Sequence, residues 1–477
     1  MVEKSLMQDG QIVLEELSKY LENCKDENAT VIDQVPMQTI IHDLSLNELL
    51  EEGGLEGETL KKFTHDYLNL TTKLHHPKCL AHQISAPHST GALAAMIDGL
   101  TNNETSVYEM GPATTTIEYF MINWMLKKIG WVPSPIPGSD SQKDHEEYGG
   151  GVMTHGGSLA NLTAMLAARS AKFPNIWRDG SPSNLVILVP EQSHYSLKRT
   201  AGIMGIGEIN CLSLPADSDG RVLPIKIPAM LEKLKNDDKQ VLAIVGNACG
   251  TAAGLYDPLD EIGKICEQYD IWFHVDAAHG AGAIICDEYR YLVKGIERAD
   301  SLIWDAHKMF RTPALCASVL VKDYRHIDNA FAQEASYLFH DKDQPGVDLA
   351  LRTLECTKSA LGVRMFMTIA AMGEQGLIDY ISGRTKLTQQ AADHINDQED
   401  FECAVYPETN IICYRITGDD QRQLEIRKQL LNQGKFYITT TKYKDQWWLR
   451  CVFISTASTL DHFKILIEQI RKINNDI

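Results

Sequence analysis

Apolar positions in the middle of the chain gather into four short, nearly unbroken runs: LVILV (185–189), VLAIV (241–245), IWFHV (271–275) and LIW (302–304). The stretches between them carry apolar residues at helical spacing. Strands buried on both faces read as continuous apolar runs, because neither face meets water. Alternation of such runs with helices predicts an α/β domain built on a mostly parallel sheet. Before residue 103 the pattern is mostly helical, as in LNELLEE and ETLKKFTHDYLNLTTKL. Beyond residue 364 three strand-like segments, NIICYRIT, KFYITTTKY and WWLRCVFI, alternate with predicted helices over 420–432 and 460–473. The chain therefore divides into an N-terminal helical segment (1–103), a large α/β domain (104–363) and a smaller C-terminal α+β domain (364–477). The Pro-, Gly- and charge-rich stretch from Ser134 to Gly150 is expected to be a loop.

Composition narrows the class of function. Asp and Glu number 64 against 45 Lys and Arg, a formal charge of −19. Such a surface repels phosphate backbones and anionic lipid, so nucleic acid and membrane are not expected partners. No apolar run is long enough to span a bilayer, and the N-terminus lacks the pattern of a signal peptide. The 11 cysteines are odd in number, and several sit in apolar stretches, as Cys316 does in ALCASVLV. They read as free thiols of a cytoplasmic protein. His75, His76, His82 and His88 cluster in sequence, but their spacing matches no metal-ligand pattern, and no metal is expected.

Chemically pointed residues follow each predicted strand. LVILV leads to His194, VLAIV to Thr251, IWFHV to Asp276, and LIW to Asp305, His307 and Lys308. Ligands of parallel sheets bind beyond the carboxyl ends of the strands, so these groups point to one site. Upstream, Gly156, Gly157 and Ser158 precede an Ala- and Leu-rich helix predicted over 159–172. Glycine lets backbone N–H groups approach an anion, and the helix N-terminus adds the positive end of its dipole. The segment carries neither a nucleotide P-loop nor a dinucleotide fingerprint. A phosphorylated cofactor other than a nucleotide fits, and pyridoxal 5'-phosphate (PLP) needs this kit: a lysine for its aldehyde, a carboxylate for its ring nitrogen and an anion cradle. Lys308 and Asp276 supply the first two.

The segments HHPKCLAHQISAP, YEMGPATTTIE, GGVMTHGGSLANL, PEQSHYSLKRT, ACGTAAGLYDPL, WFHVDAAHGAGAI, ADSLIWDAHKM and WWLRCVFIS resemble the group II PLP-dependent amino-acid decarboxylases, from about His75 nearly to the C-terminus. The family includes glutamate, cysteine sulfinate, diaminobutyrate and aromatic amino-acid decarboxylases. The resemblance implies a fold type I PLP-dependent transferase-like domain and a homodimer. It implies that Lys308 attaches the cofactor covalently and that Asp276 pairs with the ring nitrogen. His194 would stack on the ring, with Thr251 and Ala278 lining it, and Gly157, Ser158 and His307 would reach the phosphate. Tyr337 matches a loop tyrosine that donates the final proton, and Arg450 an arginine near the substrate. Asp305 departs from the family, which often carries Asn there.

Gln83 and Ser85, in the stretch expected to touch the substrate, resemble the glutamate version of the family. That favours an acidic amino acid (glutamate, aspartate or cysteine sulfinate). Diaminobutyrate and aromatic amino acids are the alternatives, and a non-catalytic PLP-fold binding protein is the alternative of another class.

Overall fold

The computed structural model describes residues 2–138, 147–331 and 346–477, with side chains from residue 6 onward. Two compact units emerge. One comprises Gln83–Thr385 with Pro407–Thr409, the other Met1–His82, Lys386–Tyr406 and Asn410–Ile477.

The first unit is built on seven strands: β1 (Gly150–Thr154), β2 (Leu185–Val189), β3 (Cys211–Ser213), β4 (Gln240–Asn247), β5 (Trp272–Asp276), β6 (Ser301–Asp305) and β7 (Ala317–Val321). Their order is β1-β7-β6-β5-β4-β2-β3. The four apolar runs read from the sequence form β2, β4, β5 and β6, which pair in parallel, as the α/β expectation requires. Strand β7 is antiparallel to both β1 and β6, which makes the sheet mixed. Since β1 is antiparallel to an antiparallel strand, it runs with β6. Its carboxyl end therefore reaches the same edge of the sheet as those of β2, β4, β5 and β6.

The helix Gly157–Lys172 covers one face of this sheet. It buries Ala160, Ala164, Met165 and Ala167 against Val152, Ile187, Leu242, Ala243 and Ile303. Alanines let the helix axis approach the strands closely, and each fully buried Leu, Ile or Val contributes roughly 2 kcal/mol.

The second unit carries an antiparallel sheet of β8 (Phe401–Cys403), β9 (Ile411–Ile416), β10 (Thr439–Tyr443) and β11 (Gln446–Val452), in the order β10-β11-β9-β8. Ile412, Tyr414, Leu449 and Cys451 on its inner face pack with Phe463, Leu466 and Ile470 of the helix Leu460–Asp476. Leu80 joins that core, and its backbone N–H and C=O bond to Tyr437 and Val452. Among the described residues no helix is long and apolar enough to cross a membrane.

Candidate active site

A cavity of about 310 Å³ opens at the carboxyl edge of the seven-stranded sheet. Gln83, Gly157, Ser158, His194, Thr251, Asp276, Ala278, His307 and Lys308 all line it, so nine of the residues singled out from the sequence converge on one space. For all but Gln83, convergence follows from topology: each of the other eight lies within a few residues of the carboxyl end of a strand running in the same direction.

Asp276 ends β5 and is 6% exposed. Its Oδ1 accepts the Ala278 N–H at 3.2 Å and its Oδ2 accepts the Asn161 amide at 3.1 Å. Neither donor carries a charge, so the buried carboxylate is left to be matched by a cation in the cavity. Lys308 lies in the turn after β6, with its backbone N–H 3.3 Å from the Asp305 carbonyl. Its ammonium sits 3.3 Å from Asp305 Oδ2. Asp305 is 3% exposed, and its Oδ1 has no hydrogen-bond partner among the described residues.

The glycine pair at the start of the helix Gly157–Lys172 is required by geometry. Gly156 has φ +108°, a left-handed conformation that side chains disfavour. A Cβ on Gly157 would lie 2.8 Å from Asp305 Oδ2 and 2.9 Å from Oδ1. The bare backbone leaves an anion-sized cradle at the positive end of a helix of 16 residues.

His194 is half-buried, and burial lowers its pKa below the ordinary histidine value, against the opposing pull of Asp276. Its Nδ1 lies 2.8 Å from Ser196 Oγ. His307 Nδ1 lies 2.8 Å from the Cys316 carbonyl. Ser85, expected near the substrate, is 3% exposed, and its hydroxyl donates to the His307 carbonyl at 3.1 Å. It braces the turn that carries Lys308. Arg450 belongs to the second unit, where it is 6% exposed on β11 with Nη1 3.4 Å from the Ala81 carbonyl. Tyr337 lies outside the described residues.

Six lining residues are not among the site residues read from the sequence: His155, Asn161, Cys249, His279, Ile303 and Leu315. His155 Nδ1 is bonded to the Glu355 carboxylate and its Nε2 lies 3.2 Å from Ser359 Oγ. Asn161 had a legible signal, a polar residue one helical turn after Gly157 in an otherwise Ala- and Leu-rich helix.

The pyridoxal-dependent decarboxylase conserved domain matches residues 56–417, about three quarters of the chain. The chain belongs to that family. As a family member it is a PLP-dependent amino-acid decarboxylase. The acidic amino acid decarboxylase GADL1 of Mus musculus is 25% identical over 100% of this chain and 86% of its own length. The L-2,4-diaminobutyrate decarboxylase of Acinetobacter baumannii is 27% identical over 88% of this chain and 84% of its own. Among solved structures, mouse CSAD superposes with a TM-score of 0.86 at 21% identity, covering 100% of this chain and 99% of that one. A structure of Oryza sativa TDC with PLP and tryptamine gives 0.87 at 20% identity, covering 99% and 98%. These two likenesses bear out the expected fold.

The decarboxylase cavity fits PLP on its own features. It offers a primary amine at Lys308, a buried carboxylate at Asp276 with no ion pair to a cation among the described residues, and a glycine-lined helix start. Asp305, a buried acid with one oxygen unbonded among the described residues, borders that cradle.

Proposed function

We propose that this decarboxylase acts on an acidic amino acid, with Lys308, Asp276 and His194 as its central residues. The observation that carries the substrate reading is the character of the wall. Among the described residues, no Phe, Tyr or Trp lines the cavity, while Gln83, His155, His194, Thr251 and His279 do. An aromatic side chain would lose its apolar surroundings there, whereas an anionic one meets hydrogen-bond donors. The likeness to acidic amino acid decarboxylases of several vertebrates supports the same reading.

When bound, PLP supplies an electron-poor ring that accepts the electron pair left by the departing CO2. The protein's own residues do the rest. The Lys308 amine would hold the cofactor aldehyde. Asp276 would pair with the ring nitrogen and stabilise positive charge there. His194 would stack on the ring and orient the substrate carboxylate, so that decarboxylation is selected by geometry. Gly157, Ser158 and His307 would hold the phosphate, while Thr251 and Ala278 would line the ring. Tyr337 and Arg450 are assigned, by resemblance, to proton donation and substrate contact.

The same reading includes a homodimer in the cytoplasm. The helix Ser89–Thr101 leaves Leu93, Met96, Ile97 and Leu100 about half exposed or more, an apolar stripe suited to a second copy.

A second substrate reading, L-2,4-diaminobutyrate, rests on the Acinetobacter relative and on the carboxylate of Glu355 behind His155. CO2 release measured on aspartate, glutamate, cysteine sulfinate, 2,4-diaminobutyrate, tyrosine and tryptophan separates these readings. Turnover confined to the first three supports the proposal, and turnover confined to the aromatic pair refutes it.

A further inference from the structure

Behind Asp276 runs a line of buried polar groups that the roles above do not use. Trp272 Nε1 donates to Ser301 Oγ at 2.8 Å. Ser301 Oγ lies 2.8 Å from His274 Nδ1, and His274 Nε2 lies 2.9 Å from Asn161 Oδ1. The two Asn161 amide hydrogens then serve two acceptors, Asp276 Oδ2 at 3.1 Å and Ser196 Oγ at 3.0 Å. Ser196 Oγ in turn lies 2.8 Å from His194 Nδ1. His274 and Ser301 are fully buried, and Asn161 and Ser196 are each 1% exposed.

With His274 neutral, one assignment of hydrogens satisfies the contacts along this branch. The Trp272 indole can only donate and the carboxylate accepts, so Asn161 must turn its amino group toward Asp276 and its carbonyl toward His274. His274 then carries its proton on Nε2 and accepts the Ser301 hydroxyl hydrogen on Nδ1. Burial pushes its pKa down to about 4, which keeps the ring neutral and the assignment unique. At the other branch Ser196 Oγ accepts from Asn161, and where His194 Nδ1 is an acceptor the hydroxyl gives it its own hydrogen. The Ser196 backbone N–H also points to that nitrogen at 3.3 Å. His194 Nδ1 is therefore an acceptor, and the single proton of the neutral ring sits on Nε2.

We infer that Asn161, oriented by His274, is a positioning residue for two groups of the cavity wall: it holds the Asp276 carboxylate and locks His194 as the Nε2–H tautomer. The cavity thus presents a carboxylate acceptor and an imidazole N–H donor, both set by one amide. The inference rests on the reading of Asp276 and His194 given above, but the hydrogen-bond line itself is a property of the chain.

The test uses full-length protein labelled with ¹⁵N-histidine, with and without added PLP. At neutral pH the His194 signals, assigned by their loss in His194→Gln, are expected to show the Nε2–H tautomer in both forms. An Nδ1–H tautomer or an imidazolium overturns the inference, whether or not the protein binds PLP. Failure of PLP to bind would instead overturn the functional reading. Asn161→Leu should release the tautomer, weaken PLP binding about tenfold and shift the pH midpoint of the bound cofactor's visible absorbance. Unchanged tautomer, affinity and midpoint in that variant contradict the inference. His274→Gln keeps an N–H toward Asn161 and should retain most of the PLP affinity, whereas His274→Leu should lose it as Asn161→Leu does. Equal losses in the Gln and Leu variants would assign the effect to packing and overturn the inference too.

Discussion

Lys308 Nζ sits 3.3 Å from Asp305 Oδ2, an ion pair in which the lysine is partly exposed and the acid is not. The other Asp305 oxygen has no partner among the described residues and borders the space left by the missing side chain of Gly157. A fixed negative charge beside a phosphate cradle opposes the ligand, whereas an amide of the same shape can donate to it. Asp305→Asn is expected to tighten PLP binding about tenfold, measured by fluorescence quenching of the apoprotein. Weaker binding would mean that the carboxylate is needed, through Lys308, more than it is harmful.

Gly157→Ala tests the cradle from the other side. The new methyl would lie under 3 Å from both oxygens of a buried carboxylate, so the helix start or Asp305 must shift. PLP affinity should fall at least about tenfold, with a melting temperature in the absence of PLP that changes little, because the added group meets the cavity wall and not the core. Wild-type affinity in this variant would remove the phosphate from this end of the helix.

His274 gives stability a pH dependence of definite sign. Its folded-state pKa is about 4, depressed by burial from 6.5. Between those values the unfolded chain binds the extra proton and the folded one does not, so stability falls as pH drops from about 6.5 to about 4. The contribution is on the order of 3 kcal/mol. Asp257, fully buried and raised to about 6, acts with the opposite sign between about 4 and 6. The informative quantity is therefore the difference between wild type and His274→Gln in urea unfolding. That difference should narrow progressively from pH 7 to pH 4, and a difference independent of pH would contradict the assignment.

Burial, outweighing the pull of the acids around it, holds the His194 pKa below the ordinary histidine value. The acid limb of kcat/KM that belongs to this ring should therefore lie below pH 6.5, the ordinary histidine value. His194→Gln should remove that limb and lower kcat about a hundredfold. A limb at or above pH 6.5 that vanishes with the substitution would mean the ring is held as a cation.

Much of this is legible in the sequence. The runs forming β2, β4, β5 and β6 stand out because a parallel strand covered on both faces has no polar positions, and the groups beyond their ends converge through topology alone. Strands β1 and β7 are less legible: GGVMT opens on two glycines beside a Pro-, Gly- and charge-rich stretch, and ASVLV, though apolar, follows β6 closely with no helical pattern between them. Gln83 reaches the cavity, whereas Ser85, two residues on, spends its hydroxyl on the backbone of His307. Such a choice depends on a partner 222 residues away in sequence. For Asn161 the sequence shows a polar residue near the helix start, but its partners, Asp276 and Ser196, are set only by packing.

The central claim is that one lysine of this chain carries the cofactor. Purified protein incubated with PLP, reduced with borohydride, digested and mapped by mass spectrometry tests it directly. The account predicts a single pyridoxyl-phosphate adduct on the peptide containing Lys308, with no adduct in Lys308→Ala. An adduct on a different lysine, or none while the wild-type protein still releases CO2 from an amino acid, would contradict it.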